Sequence, residues 1–101
     1  MPTLDYRAHL LEDLKNPEYA AGYLTAALEE GEDVFLLAVR DVVDAHGGIG
    51  RLSESTSLNR ENLHQILSQR GNPRFSSLMS ILRELGVEIQ FRAKPCDMTA
   101  A

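Results

Sequence analysis

"IGRLSESTSLNRENLHQI", residues 49–66, begins as a short helical stretch, breaks into a polar turn and resumes with polar side chains that have no obvious partner in the chain. Two helices joined by a turn of about three or four residues need apolar side chains at set offsets to pack on each other. Leu52, Thr56 and Leu58 suit the first helix and the turn, Leu63 and Ile66 anchor the second helix, and Ile49 adds one more inward position. With those assigned, Asn59, Arg60, Glu61, Asn62, Gln65 and Gln69 face outward, most of them in the first two turns of the second helix. In a DNA-binding helix-turn-helix that part of the second helix enters the major groove and meets base edges. The side chains have the required chemistry, since arginine pairs with guanine and asparagine or glutamine with adenine. The unpartnered polar row is therefore expected to find its partner in a duplex.

Arg60, Glu61 and Gln65 are the leading candidates for base reading, with Asn62 and Gln69 next. Glu61 has two readings: acceptor from cytosine N4, or a local role holding Arg60 or completing a cap with Asn59. Arg51, Asn59, Arg70, Asn72, Arg74 and Ser76, together with the N-terminus of the sixth helix, are placed to meet phosphate. Such contacts position a protein and make binding salt-dependent without carrying sequence information.

The charge distribution separates the halves. Residues 1–48 hold ten acids against three bases, a net of −7. Residues 49–94 hold four acids and seven bases, a net of +3, and Asp97 completes the total of −5. Two surfaces with different partners are expected from such asymmetry. Around the second half, the rest of the chain reads as helices. Leu4, Ala8, Leu11 and Leu14 form one face of a first helix that stops before Asn16-Pro17. Asn16 caps a second helix with Ala20, Tyr23, Leu24, Ala27 and Leu28 as its stripe and Gly31 at its end. Asp33 is expected to cap a third helix, closed by Gly47-Gly48, whose apolar residues (Phe35, Leu36, Leu37, Ala38, Val39, Val42, Val43) run almost all round it. So apolar a helix belongs at the centre of a bundle. Residues 49–56 form a fourth helix, and Asn59 caps a fifth reaching about Arg70. Ser76 or Ser77 opens a sixth, with Leu78, Ile81, Leu82 and Leu85 inward and Gly86 at its end.

"VEIQFR", residues 87–92, alternates strictly: Val87, Ile89 and Phe91 on one face, Glu88, Gln90 and Arg92 on the other. That is a strand pattern, and a lone strand needs a second one. The simplest supplier is the same segment of another copy, so a homodimer joined through this strand is expected. The domain reading is one helical DNA-binding domain over residues 1–92, with an acidic partner-binding half (1–48), a helix-turn-helix half (49–86), the strand (87–92) and a flexible tail (93–101). Glu29, Glu30, Glu32 and Asp33 are the candidates for contact with a basic partner.

Little else points to chemistry. His9, His46 and His64 fall on different helices without i,i+4 spacing, and one cysteine (Cys96) beside them does not favour a zinc site. Ser53, Ser55 and Ser57 lack a nucleophile-elbow context, and no glycine-rich phosphate loop follows a strand. No enzyme, metal or cofactor is expected. A single thiol and an N-terminus without an uninterrupted apolar run fit a cytoplasmic protein with no membrane association.

The run "GGIGRLSESTSLNRENLHQILSQRGNPRFSSLMSILRELGVEI" resembles the lambda-repressor/Cro type of helix-turn-helix. With the preceding "YLTAALEEGEDVFLLAVRDVVDA", residues 17–92 resemble the antidote proteins of prophage-type addiction modules, the HigA-like antitoxins, and "RGNPRFSSL" is the most specific part. The resemblance implies a mainly α, lambda-repressor-like bundle ending in one short strand. It also implies an antitoxin that binds a small basic toxin of the RelE/ParE type and represses its own promoter on double-stranded DNA. The sequence departs from the motif at Ser53, where alanine is usual, and at Ser57, where the turn usually has glycine with positive φ. Two further readings use the same residues: a stand-alone prophage regulator without a toxin, and a protein-interaction module in which DNA binding is secondary or lost.

Overall fold

The computed structural model describes residues 2–68 and 72–95, arranged as α1 (Pro2–Leu14), α2 (Pro17–Glu30), α3 (Glu32–Ala45), α4 (Gly48–Ser55), α5 (Arg60–Ile66) and α6 (Phe75–Glu84). The central position of α3 follows from its composition. Leu36, Ala38, Val39, Val42, Val43 and Ala45 are buried, and α1, α2 and α4 all pack on it. Leu37 is exposed and Phe35 only half-buried, so the apolar band is wide but does not close round the helix. On α2 the buried side is Ala20, Leu24 and Ala27; Tyr23 is half-buried and Leu28 turns to solvent. Leu14 fixes the end of α1 in the core, while Leu10 and Leu11 pack against it and Ala8 is exposed. The side chain of Leu4 lies outside the described ones.

The joints between helices follow local chemistry. Asn16 caps α2 by accepting from the Glu18 N–H at 2.9 Å, and Pro17 occupies the first helical position, where a missing N–H costs nothing. Gly31 ends α2 and starts α3 at once. Its φ of 144° is open to glycine alone, and its carbonyl accepts from the Phe35 N–H. The expected Asp33 cap is therefore not made: α3 starts at Glu32, and Glu32 and Asp33 lie inside its first turn, where carboxylates suit the helix dipole. Gly47 (φ 108°) and Gly48 (φ 90°) turn the chain from α3 into α4, which starts at Gly48.

At the other end, α6 opens one residue earlier than the serines suggested, with Arg74 as its cap residue and no side-chain capping bond. It closes in a Schellman motif. Gly86, at φ 83°, donates to the Arg83 carbonyl, and Val87 donates to the Leu82 carbonyl, both at 3.1 Å.

The strand expected at residues 87–92 is not formed. No described residue is in a strand, and residues 87–95 run without regular structure. The reason is the one that makes lone strands unfavourable: among the described residues no other segment offers a ladder. Val87 is half-buried against the core, but Ile89 is 39% exposed and Phe91 96% exposed. No helix among the described residues is long and apolar enough to cross a membrane.

A polar clamp ties the first three helices together. Asp41 on α3 accepts from the Tyr23 hydroxyl of α2 at 2.7 Å and from Arg7 of α1 at 2.9 Å. Arg7 also donates to Asp44 at 2.9 Å, and Arg40 approaches the same carboxylate at 3.5 Å. Burial, reinforced by the bond to Asp41, raises the Tyr23 phenol well above its ordinary 10.0. A group whose folded pKa is raised contributes stability that is fully present below its unfolded pKa and lost as pH rises towards the folded value. Thermal melts of the wild type are therefore expected to fall in midpoint above about pH 10, the ordinary phenol value, and Tyr23→Phe to flatten that decline. At neutral pH the same substitution is expected to cost about 0.5–1.5 kcal/mol, the worth of one hydrogen bond. An unchanged alkaline slope in Tyr23→Phe would assign the decline to other groups.

Candidate nucleic-acid interface

The site is built from α4, the link Thr56–Asn59, and α5. Ile49 and Leu52 are buried on α4, and Leu63 is fully buried on α5, as their spacing implies. Leu58 and Ile66 pack on the cluster while half-buried. Leu67, just past the end of α5, is 1% exposed and provides a second deep anchor that the sequence analysis overlooked. The signal was available, because Leu67 lies four residues after Leu63 and so on the same helical face.

Thr56 organises the link by donating to the Leu52 carbonyl at 3.0 Å and accepting from the Leu58 N–H at 3.2 Å. No described non-glycine residue has positive φ, so Ser57 turns the chain without left-handed backbone and the departure from glycine carries no strain. Ser53 is accommodated by donating to the Gly50 carbonyl at 2.8 Å.

Asn59 caps α5, accepting from the Asn62 N–H at 2.7 Å. Its carbonyl oxygen is thus engaged, which leaves its amide N–H groups for any outside contact. Arg60, Glu61, Asn62 and Gln65 are all exposed and lie together on α5. Of the two local readings of Glu61, the cap is made by Asn59 alone, and Glu61 forms no ion pair or side-chain hydrogen bond among the described residues. The helix ends at Ile66 rather than near Arg70; Gln69, Arg70 and Gly71 lie outside the described residues.

Arg60 does not simply project outward. A Cβ built on Gly50 would stand 3.0 Å from its Nη2, so the guanidinium is folded back on α4 where glycine leaves the space. Gly50 is a second residue the sequence analysis missed, since only the packing of α4 on α5 brings it under Arg60. A comparable close approach holds Arg51. Its stem lies over Gly47, where a Cβ would come 2.6 Å from the Arg51 Cδ, and the residue is exposed.

Asn72, Arg74 and Ser76 are exposed, with Arg74 and Ser76 at the start of α6, which packs on α4. The acidic candidates form a separate group. Glu29 and Glu30 end α2, Glu32 and Asp33 begin α3, and all four are exposed without an ion pair among the described residues. Asp41 and Asp44, by contrast, are engaged by Arg7 and Arg40. The unneutralised acidity of the first half is thus partly gathered at the α2–α3 corner.

His9 lies on α1, His46 caps the end of α3 and His64 lies on α5, and no described residues form a group of three His, Cys, Asp or Glu able to hold a metal. The Nε2 of His46 is buried without a partner, next to a polar cleft lined by Arg51, Ser55 and Glu84.

An uncharacterized protein of Haemophilus influenzae is 29% identical over 80 residues, covering 78% of this chain and 81% of that protein. No solved structure matches. A family model described as "Probable addiction module antidote protein" matches residues 6–93, from within α1 to beyond α6. The chain belongs to the family of probable addiction module antidote proteins.

Proposed function

We propose that the protein is the antitoxin of a type II toxin–antitoxin module, a non-enzymatic regulator that neutralises a small basic toxin by direct binding and represses its own operon. The observation that carries the DNA-binding part is the exposed set Arg60, Glu61, Asn62 and Gln65 on a short helix, with Asn59 exposed as its cap and Leu63 pinning the helix to the core. Membership of an antidote family supports the toxin-binding part, and a toxin of the RelE/ParE type is the partner proposed. The DNA site is proposed to be near-palindromic and bound by a homodimer, so that two recognition helices address successive major-groove faces. The compartment proposed is the cytoplasm, where operator and toxin are both met.

Mobility shifts on the protein's own promoter test the first part. Operator is expected to be bound more tightly than random DNA of equal length, and equal affinities would reject specific repression. Arg74→Ala is expected to weaken operator and random DNA about equally and to lower the salt slope by roughly one phosphate contact. A loss confined to the operator would make Arg74 a base reader instead.

The exposed carboxylates at the α2–α3 corner support the second part. Reversing Glu29, Glu30, Glu32 and Asp33 to lysine is expected to slow toxin capture by roughly tenfold or more, because charge complementarity acts chiefly on association rate. Operator affinity should not fall. The toxin assayed is the product of the neighbouring reading frame. If that product forms no complex at micromolar concentration, the stand-alone regulator becomes the better reading.

A further inference from the structure

We propose that Glu88–Arg92 pairs antiparallel with the same segment of a second copy, in the one register that sets Glu88 opposite the partner's Arg92 and places Gln90 on the two-fold axis. This rests on the reading of the protein as a homodimer and deepens it by fixing the interface and its register.

The segment is held ready at one end and unsatisfied along the rest. Val87 is anchored by its N–H on the Leu82 carbonyl, whereas no backbone hydrogen bond among the described residues involves residues 88–95. The Gln90 side chain donates to Glu88 at 3.0 Å, which puts these two residues on one side of the chain as an extended backbone requires. The other side carries Ile89 and Phe91, both exposed. Beside it lies an open, mixed groove lined by Met79, Arg83, Gly86, Val87, Glu88 and Ile89, whose apolar members Met79, Val87 and Ile89 stay partly in water in a single chain.

Charge selects the occupant and the register. Directly opposed residues of an antiparallel pair share a face, so only pairings that oppose apolar to apolar and polar to polar are admissible. Centring the pair on Glu88 or on Arg92 opposes like charges. Centring it on Ile89 sets Glu88 against Gln90 and Arg92 against Gly86, with no charge pair. Centring it on Phe91 matches Glu88 with Lys94, leaves Arg92 against Gln90, and runs the ladder up to Pro95, which has no N–H to donate. Centring it on Gln90 sets Glu88 opposite Arg92 twice and Ile89 opposite Phe91 twice. Opposite charges and an aromatic beside a β-branched residue are both favourable cross-strand pairs. The partner's Phe91 then falls on Ile89 at the edge of the groove, and a ladder too short to hold by itself gains apolar burial.

Light scattering on the full chain, with and without charge exchange, tests this. The wild type is expected to be a dimer. Glu88→Arg and Arg92→Glu each oppose like charges at both symmetric positions and are expected to raise the dimer dissociation constant roughly tenfold or more. Both residues are exposed, so circular dichroism is expected to show intact helices. An equimolar mixture of the two variants restores both charge pairs and is expected to recover dimer. The Phe91-centred register instead predicts that Arg92→Glu alone stays dimeric, because Arg92 there faces only Gln90 and both Glu88–Lys94 pairs survive. In a Cys96→Ser background, Gln90→Cys is expected to cross-link on mild oxidation, since the opposed Cβ atoms would be about 4.5–5.5 Å apart. Singly substituted chains that stay dimeric like the wild type, a mixture no better than either variant, or cross-linking through Phe91→Cys but not Gln90→Cys would each overturn the register while leaving a homodimer standing. A monomeric wild type overturns the homodimer with it.

Discussion

Leu63→Ala is expected to lower the unfolding free energy by about 2–5 kcal/mol, the usual cost of deleting a buried leucine and leaving its cavity behind. Leu63 is fully buried, and it anchors a helix of seven residues. An isolated helix that short has no stability of its own, so α5 exists because its apolar side is packed. For a domain whose whole stability is of the order of 5–15 kcal/mol, the loss is a large fraction. Urea unfolding followed by circular dichroism gives the change in midpoint at constant slope. Operator binding is expected to fall in step, although no charge has been altered. Leu63→Met, close to volume-conserving, is expected to cost less than about 1.5 kcal/mol. A Leu63→Ala protein as stable as the wild type would mean that α5 is held by something other than this contact.

Arg60→Ala is expected to do the reverse: leave the unfolding curve within about 0.5 kcal/mol of the wild type, as exposed substitutions do, and weaken binding to the preferred operator by about 1–3 kcal/mol. The second figure assumes a bidentate contact with guanine, made after the guanidinium leaves its seat on Gly50. Competition against random DNA separates this from a phosphate role, because a base contact is lost on the operator alone. The seat on α4 predicts a companion effect. Gly50→Ala crowds the folded-back position and is expected to shift Arg60 outward at little cost, since the atom it meets is the far end of a flexible side chain. Operator affinity unchanged in Arg60→Ala would remove this residue from the base-reading set.

Much of this architecture was legible because it depends on neighbours in sequence. The caps at Asn16 and Asn59, the breaks at Gly31 and Gly86, and the inward positions Ile49, Leu52 and Leu63 all follow from offsets of a few residues. Helical periodicity and cap chemistry act over that range. Misreadings arose where two local signals competed. Asp33 has a capping side chain, but the one-residue joint at Gly31 moved the helix start ahead of it. Ser76 and Ser77 looked like a helix start, yet the helix already begins at Phe75.

By itself, then, the sequence determined a helical chain with a wide apolar helix at its centre, two short helices joined by a polar turn within residues 49–66, and an acidic half set against a basic one. Tertiary structure alone decided how distant residues meet. The clamp of Arg7, Tyr23, Asp41 and Asp44 spans three helices, and the seat of Arg60 on Gly50 exists only once α4 and α5 pack. It also decided that the alternating segment after Gly86 would not become a strand within one chain. Alternation specifies which faces a strand would have, but a strand is completed by the backbone beside it, and the described residues of one chain supply no such neighbour.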